Sequence, residues 1–193
     1  MRAAAVADTK EMQKLFAAKS DPNAQDSSGW TALVYAAQGE KKGRVYAATY
    51  SSGIQSVKLL LDSGADPNVR SFMDQTALMG AAAAFYSPVE KTRLLVAAGA
   101  DTNVQDKNGH TALMDIISSA LGQDSPGKYA EQVELCSMLV AAGARTDLRD
   151  SNGLTVFDIL EQELRKWSAP DQPAAFVQSV RMQHQALLEA LQP

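Results

Sequence analysis

The sequence predicts an all-α solenoid of stacked helix-turn-helix units joined by β-turn fingers, and three observations support this fold class. A polar turn followed by a threonine and an apolar run occurs four times, with the threonines at Thr31, Thr76, Thr111 and Thr155. A second apolar run that closes on a glycine occurs three times, at Gly64, Gly99 and Gly143. The two patterns alternate strictly along the 193 residues, which is typical of a repeat array.

The turn that opens each unit is predicted from its polar residues. The four segments are Asp26–Leu33, Ser71–Leu78, Asp106–Leu113 and Asp150–Phe157. Three of them begin with Asp and place Gly at the fourth position, and these residue types supply the side-chain acceptor and the left-handed residue of a tight turn. The threonine that follows can cap the first helix, because its hydroxyl can accept a free N–H group of the first turn.

The second helix of each unit is predicted from its apolar spacing. Ile54, Val57, Leu60 and Leu61 fall on one side of such a helix, and that side must pack on the neighbouring units. Cys136 stands where Val57 stands in the earlier unit, so we expect a small buried core residue rather than a reactive thiol. A glycine then lets the chain leave the helix through a left-handed conformation.

These segments resemble the ankyrin repeat, whose unit of about 33 residues is a β-turn followed by two antiparallel helices. The resemblance includes the closing segments Leu59–Asn68, Leu94–Asn103 and Met138–Asp147. Their alanine-rich Gly-Ala-Asp motif is most similar to bacterial ankyrin proteins. The family's Thr-Pro-Leu-His signature is half kept, since Ala or Val replaces the proline and other residues replace the histidine. We expect those losses to affect packing detail rather than the fold.

The repeat register predicts a single domain of about three full repeats with a cap at each end. The units are an N-terminal cap at 1–25, a repeat with a long insertion at 26–70, a repeat at 71–105, a repeat with an insertion at 106–149, and a C-terminal cap at 150–193. The threonines lie 45, 35 and 44 residues apart, which places the extra residues between the two helices of a unit. They fall at Gly39–Gly53, where we favour longer helices, and at Ser119–Ala130, where Ser125–Gly127 indicates a turn.

The caps depart from the consensus of the repeats. The first is predicted to hold a helix at Glu11–Ala18, and Lys19 replaces the glycine that closes the other units. The last is predicted to hold helices at Thr155–Trp167 and from the break at 169–173 to about Leu191. Its Gln, Glu and Arg residues suit a face turned to solvent.

Composition and charge exclude several classes of function. The formal net charge is -4, and the longest basic run, Lys41, Lys42 and Arg44, is typical of a solvated loop, so neither a nucleic-acid nor a membrane partner is expected. One cysteine allows no internal disulfide. The N-terminal apolar run is too short for a signal peptide, and we expect a cytoplasmic, monomeric protein. A periplasmic or secreted location stays open, because a removed signal leaves no trace.

Motifs for catalysis or cofactor binding are not found in the sequence. No metal-ligand spacing, phosphate-binding loop or nucleophile elbow occurs, so no catalytic, metal or cofactor-binding residues are assigned, and an enzyme remains only a remote alternative. Of the two histidines, His110 lies in a predicted finger and His184 in the last helix. We expect His110 to be a surface contact rather than a general base.

The resemblance implies a protein partner bound across the fingers and the exposed face of each first helix. The partner-binding residues that we assign on this basis are Trp30, Phe72, Met73, Gln75, Lys107, Asn108 and His110. Apolar residues at turn tips often mark an interface, so Trp30, Phe72 and Met73 form the expected hot spot. In the alternative interpretation Trp30 folds across the next finger and serves repeat stacking. A second functional hypothesis is a small inhibitor or immunity-type protein that blocks a partner enzyme.

Overall fold

The computed structural model describes residues 8–39, 49–84, 88–118, 126–168 and 174–192. Within these ranges the chain is helical and forms no strand, which confirms the predicted all-α class. The nine helices described there are α1 (Thr9–Ala17), α2 (Ala32–Gln38), α3 (Thr49–Asp62), α4 (Ala77–Ala82), α5 (Pro88–Ala97), α6 (Ala112–Ser118), α7 (Pro126–Ala141), α8 (Val156–Trp167) and α9 (Ala174–Ala190).

The helices stack in two rows. Helices α2, α4, α6 and α8 contact one another in sequence and form the row of first helices, and α1, α3, α5, α7 and α9 form the row of second helices. Each first helix also packs on the second helix of its own unit. The four fingers precede α2, α4, α6 and α8, so all of them lie at the same edge of the stack.

The core runs between the two rows as one continuous cluster. Its fully buried members come from both helices of each unit, with Leu33, Leu78 and Leu113 from the first row and Leu60 and Leu95 from the second. Cys136 and Val57 are both fully buried, as their shared position predicts. Burial of one such leucine contributes roughly 1.5–3 kcal/mol, so this shared core holds the units together.

The polar starts of the helices follow the predicted scheme at three of the four threonines. The hydroxyls of Thr31, Thr111 and Thr155 accept the backbone N–H three residues on, each at 3.3 Å. The backbone N–H of Thr155 in turn donates to the Asp158 carboxylate at 2.9 Å, which completes a capping box. Thr76 was expected to act in the same way but does not, because its hydroxyl is enclosed and accepts no bond from the first turn of α4.

The joint after the first helix is held in an unfavourable backbone conformation. Lys19 has φ +60°, whereas Gly64, Gly99 and Gly143 at the matching positions have φ +84° to +90°. The substituted joint therefore keeps the left-handed geometry without the residue that adopts it at low cost. The helix predicted for Glu11–Ala18 begins earlier, at Thr9, because the Asp8 carboxylate accepts the N–H of Glu11.

The two predicted insertions lie partly outside the described residues. Of the first, 40–48 is outside, and the described part from Thr49 is helical. Of the second, 119–125 is outside, and Pro126 begins α7. The Pro-Gly pair that was predicted as a turn is thus the first turn of a helix, since proline fits the first helical position, where no N–H partner is needed.

Asparagine side chains join the loops that close successive units. Asn68 donates to the carbonyl of Gly99 at 3.0 Å and accepts the N–H of Asp101 at 2.8 Å. Asn23 and Asn103 make the same pair of bonds to the units that follow them. Each asparagine satisfies backbone groups of the next unit and so fixes the spacing of the stack.

The last closing loop replaces this ladder with an internal ion pair. Asp147 stands at the asparagine position, and Arg145 stands where Asp101 stands in the unit before. Arg145 donates to Asp147 through two bonds, of 2.9 and 2.7 Å. The pair raises the pKa of the guanidinium and lowers that of the carboxyl, mainly through the hydrogen bonds.

Candidate functional site

Each finger is a closed turn built around the side chain of its first residue. The Asp26 Oδ1 atom accepts the N–H groups of Ser28 and Trp30 at 2.8 and 3.0 Å. Asp106 and Asp150 make the corresponding bonds in their fingers. In the second finger, where Ser71 replaces the aspartate, its Oγ accepts the N–H groups two and four residues on at 3.2 and 3.1 Å. All four fingers therefore have the same shape.

Backbone hydrogen bonds join neighbouring fingers into a row. The N–H of Phe72 donates to the Ser28 carbonyl at 3.1 Å, and the N–H of Lys107 donates to the Met73 carbonyl at 3.1 Å. The third junction repeats the bond at 2.8 Å, from Ser151 to Asn108. Because the donor is always the second residue of a finger and the acceptor the third residue of the preceding one, the tips are spaced by a regular ladder.

The contact between the first two fingers depends on a glycine. Gly29 has φ +75°, and a Cβ atom there would lie 2.6 Å from the N atom of Phe72 and 2.8 Å from its ring. The second finger holds Asp74 at the same position with φ +59°, which is an unfavourable conformation for a residue other than glycine. Phe72 thus lies directly against the first finger, and its backbone position is fixed there.

The tip of the second finger is apolar and exposed. Phe72 is 61% exposed and Met73 is 48% exposed, although each of their backbones takes part in the ladder. Lys107 and Asn108 on the next tip are also exposed. The fold holds these four side chains of the predicted set outward on a backbone that is already ordered.

Trp30 occupies a different place from the exposed pair. It is half-buried and packs against the core and against Tyr35, with the two ring centroids 5.1 Å apart. The Tyr35 hydroxyl donates to Asp26 at 2.7 Å, which lowers the pKa of that carboxyl. The sequence grouped Trp30 with Phe72 and Met73 as one exposed hot spot. Trp30 is less exposed than the other two because its ring packs on Tyr35 and the core, and its part in partner binding stays a prediction.

A groove runs beside Trp30 along the first two fingers and the first helices α2, α4 and α6. Its volume is about 70 Å³, and its lining residues are Trp30, Val34, Gln38, Gln75, Thr76, Met79, Gly80, Ala83 and Asp115. We call it the finger groove, and together with the four finger tips it forms what we call the finger surface. Pockets that hold cofactors or drug-sized ligands occupy roughly 300–1,000 Å³, so the groove suits one side chain rather than a whole metabolite.

His110 bridges two carboxylates beside this groove. Its Nδ1 lies 3.4 Å from Asp115 in α6, and its Nε2 lies 3.6 Å from Asp150 in the last finger. The pKa of Asp115 rises to about 6, mainly through burial and against the effect of His110. Hydrogen bonds from Asn152 and Leu154 outweigh burial at Asp150 and lower its pKa. His110 is therefore half-buried between units, and its expected role as a surface contact stays a prediction.

The remaining candidates for chemistry are metal-ligating side chains and the single thiol. Among the described residues, no group of three or more His, Cys, Asp or Glu side chains is arranged to hold a metal ion. Burial raises the pKa of the Cys136 thiol to about 12, so the thiolate is disfavoured at neutral pH. In the same part of the chain, no helix is long and apolar enough to cross a membrane.

The structure brings together only part of what the sequence grouped. Gln75 lines the finger groove with Trp30, while Phe72, Met73, Lys107 and Asn108 lie on the tips. Sequence reasoning missed Asp115, because an acidic residue in the first turn of a helix is typical of a solvated position. The available signal was its position one turn after Thr111, because a side chain there lies on the part of α6 nearest to the finger.

Comparisons with known proteins agree with this architecture. The model of the family described as "Ankyrin repeats (3 copies)" matches residues 45–150, more than half of the chain. An ankyrin repeat protein of Acanthamoeba polyphaga mimivirus is 40% identical over 60 residues. That segment is 31% of this chain and 9% of the viral protein, so the likeness extends over a small part of its relative.

Proposed function

Because the chain belongs to the ankyrin repeat family, we propose that it is an interaction module that binds a protein partner on the finger surface. Ankyrin repeats are generally protein–protein interaction modules. The proposal places the partner on the residues Trp30, Phe72, Met73, Gln75, Lys107, Asn108 and His110. It assigns the chain no catalytic role.

The observation that carries this proposal is the exposed Phe72–Met73 tip on an ordered finger. Large apolar side chains in water cost solubility, and a pair of them at neighbouring positions is typical of an interface. Backbone bonds to Ser28 and from Lys107 fix both residues before any partner arrives. Binding then requires little ordering of the chain, which favours affinity.

The neighbouring tips supply the polar rim that such an interface needs. Lys107 and Asn108 are exposed beside the apolar pair, and Gln75 leads from the tip into the finger groove. An apolar centre with a polar edge is the usual anatomy of a protein interface. Trp30 lines the groove behind the tip, where a partner side chain that enters would contact its ring.

The test is affinity capture from the native cell with the wild type and with Phe72→Ser and Met73→Ser variants. Both residues are exposed, so we expect each variant to keep its helical content and to lose about 2 kcal/mol or more of binding energy. The matched control is Met182→Ser, because Met182 is 68% exposed on α9, away from the fingers. Capture that survives both finger variants, or that the control abolishes equally, contradicts the proposed surface.

A further inference from the structure

We propose that the finger groove receives an arginine side chain of the partner, whose guanidinium lies against Trp30 and is hydrogen-bonded to Asp115. This inference rests on the proposed function and names the chemistry that the groove selects. Trp30 and Asp115 line the same small groove although they come from the first and third full repeats, 26–70 and 106–149. A single side chain in the groove can therefore reach both.

The charge of the groove favours a cation. Asp115 is the one ionisable residue among the nine that line it, and no Lys or Arg is in that set. Two amide side chains, Gln38 and Gln75, add oxygen acceptors, and Trp30 adds an aromatic face. Carboxylate, amide oxygen and indole are the three groups that bind a guanidinium, through charge-assisted hydrogen bonds and cation–π contact.

The size of the groove favours the end of one side chain. One water molecule needs about 10–15 Å³ of such volume, so the groove holds about five atoms of that size. A guanidinium with its last methylene has five heavy atoms. Its flat shape and five N–H donors suit several acceptors at once, whereas the lysine ammonium is a compact point charge.

The surroundings of Asp115 support the same occupant. The carboxylate lies 3.4 Å from His110 and is partly removed from water, with burial raising its pKa to about 6. A guanidinium at this carboxylate would favour the ionised form of Asp115 and offset the cost of burial. An apolar partner side chain would instead increase that cost.

The experiment is an NMR titration of the full chain with N-acetylarginine amide, observed at the indole N–H of tryptophan. The chain has two tryptophans, and Trp167 lies at the end of α8, where its indole N–H donates to Glu163 at 3.0 Å. We expect a saturable shift at Trp30 and none at Trp167. N-acetyllysine amide should bind several-fold more weakly, and the amide of N-acetylnorleucine should not bind.

Two variants complete the test. Asp115→Asn should weaken binding of the arginine probe by about tenfold or more, as expected for loss of a charged hydrogen-bond partner. The control Glu90→Gln removes the same charge from an exposed position on α5 and should change nothing. No saturable shift at Trp30, or equal binding of the norleucine probe, overturns the proposal without any use of the variants.

This titration needs no protein partner, so its failure is separate from failure of the proposed function. A negative titration removes arginine as the occupant of the finger groove. Capture that is insensitive to Phe72→Ser removes the finger tip as the binding surface, whatever the titration shows.

Discussion

The ammonium of Lys91, in α5, donates to the carbonyl oxygen of Ala37, in the last turn of α2, across 3.1 Å. Only 3% of Lys91 is exposed. The ideal Cβ positions of Gly39 and Gly53 lie 3.2 Å from its Nζ and 3.4 Å from its Cε. One buried cation thus sits at the C-terminal end of α2, where the helix dipole favours positive charge.

Replacing Lys91 with methionine should change how stability depends on pH. Burial lowers the pKa of Lys91 to about 8 from 10.5, so between these values the unfolded chain binds more protons than the folded chain. Stability contributed by this group therefore rises with pH across that window. Urea unfolding from pH 7.5 to 9.5 should show the wild type gaining about 1–2 kcal/mol relative to Lys91→Met. Lys58→Met changes an exposed site on α3, and its difference in stability from the wild type should stay constant over the same pH range.

Replacing Lys19 with glycine should stabilise the N-terminal unit. The φ of +60° costs Lys19 about 1 kcal/mol relative to glycine, so the free energy of unfolding should rise by that amount and the midpoint of thermal unfolding should move to a higher temperature. The matched reverse change is Gly64→Lys, since a Cβ there meets nothing within 4 Å and only the backbone cost is added. A stabilised Gly64→Lys variant would contradict this account.

Replacing Asn68 with alanine should weaken one junction of the stack. The side chain makes two bonds to the next unit, at about 1 kcal/mol each, so we expect a loss of about 2 kcal/mol in the free energy of unfolding. Asp147→Ala truncates the matching position of the last loop, where the ion pair with Arg145 is exposed to solvent, so we expect a smaller loss. Equal losses in the two variants would show that the ladder adds nothing.

Replacing Asp115 with asparagine should abolish the fall in stability that the wild type shows as pH rises from about 4 to 7. The pKa of Asp115 is about 6 in the folded chain and 3.8 ordinarily, so between these values the folded chain binds more protons. Its contribution is fully present below about pH 4 and is lost as pH rises through 6. After allowance for the exposed third of the side chain, Asp115→Asn should gain about 1–2 kcal/mol relative to wild type from pH 4 to 7.

The check on that prediction is chemical denaturation at several pH values. Other ionisable side chains, His110, Asp106 and Asp150, lie in the same region, so the comparison uses the difference between variant and wild type at each pH. A difference that stays constant from pH 4 to 7 would mean that Asp115 is not perturbed by folding.

The sequence predicted the parts of the fold that depend on local bonds. Asp106 binds N–H groups two and four residues away, and Thr111 binds one three residues away, so short patterns contain the information. The asparagine ladder spans 31 to 43 residues, but its regular recurrence was a usable signal.

The burial of single charged residues could not be predicted in this way. Lys91 is buried and Arg93, two positions on, is exposed. The local sequence of α5 does not indicate which of the two basic side chains is buried. Lys91 is buried because the end of α2 lies over it, and this contact joins residues that are 54 positions apart in the sequence. The partial burial of Trp30 was hard to predict for a related reason, because it depends on packing against Tyr35 and the core, which the finger pattern does not contain.

The two ladders also determine how such a protein can grow. The junctions on both sides of residues 71–105 use the same finger bond and the same asparagine bonds, so a duplicated copy of this unit placed after Gln105 would find suitable partners on both sides. The lengthened chain would display the Phe72–Met73 tip twice along one edge. Evolution or an engineer could then gain avidity for a repetitive target by copying a unit, with no new contact to invent.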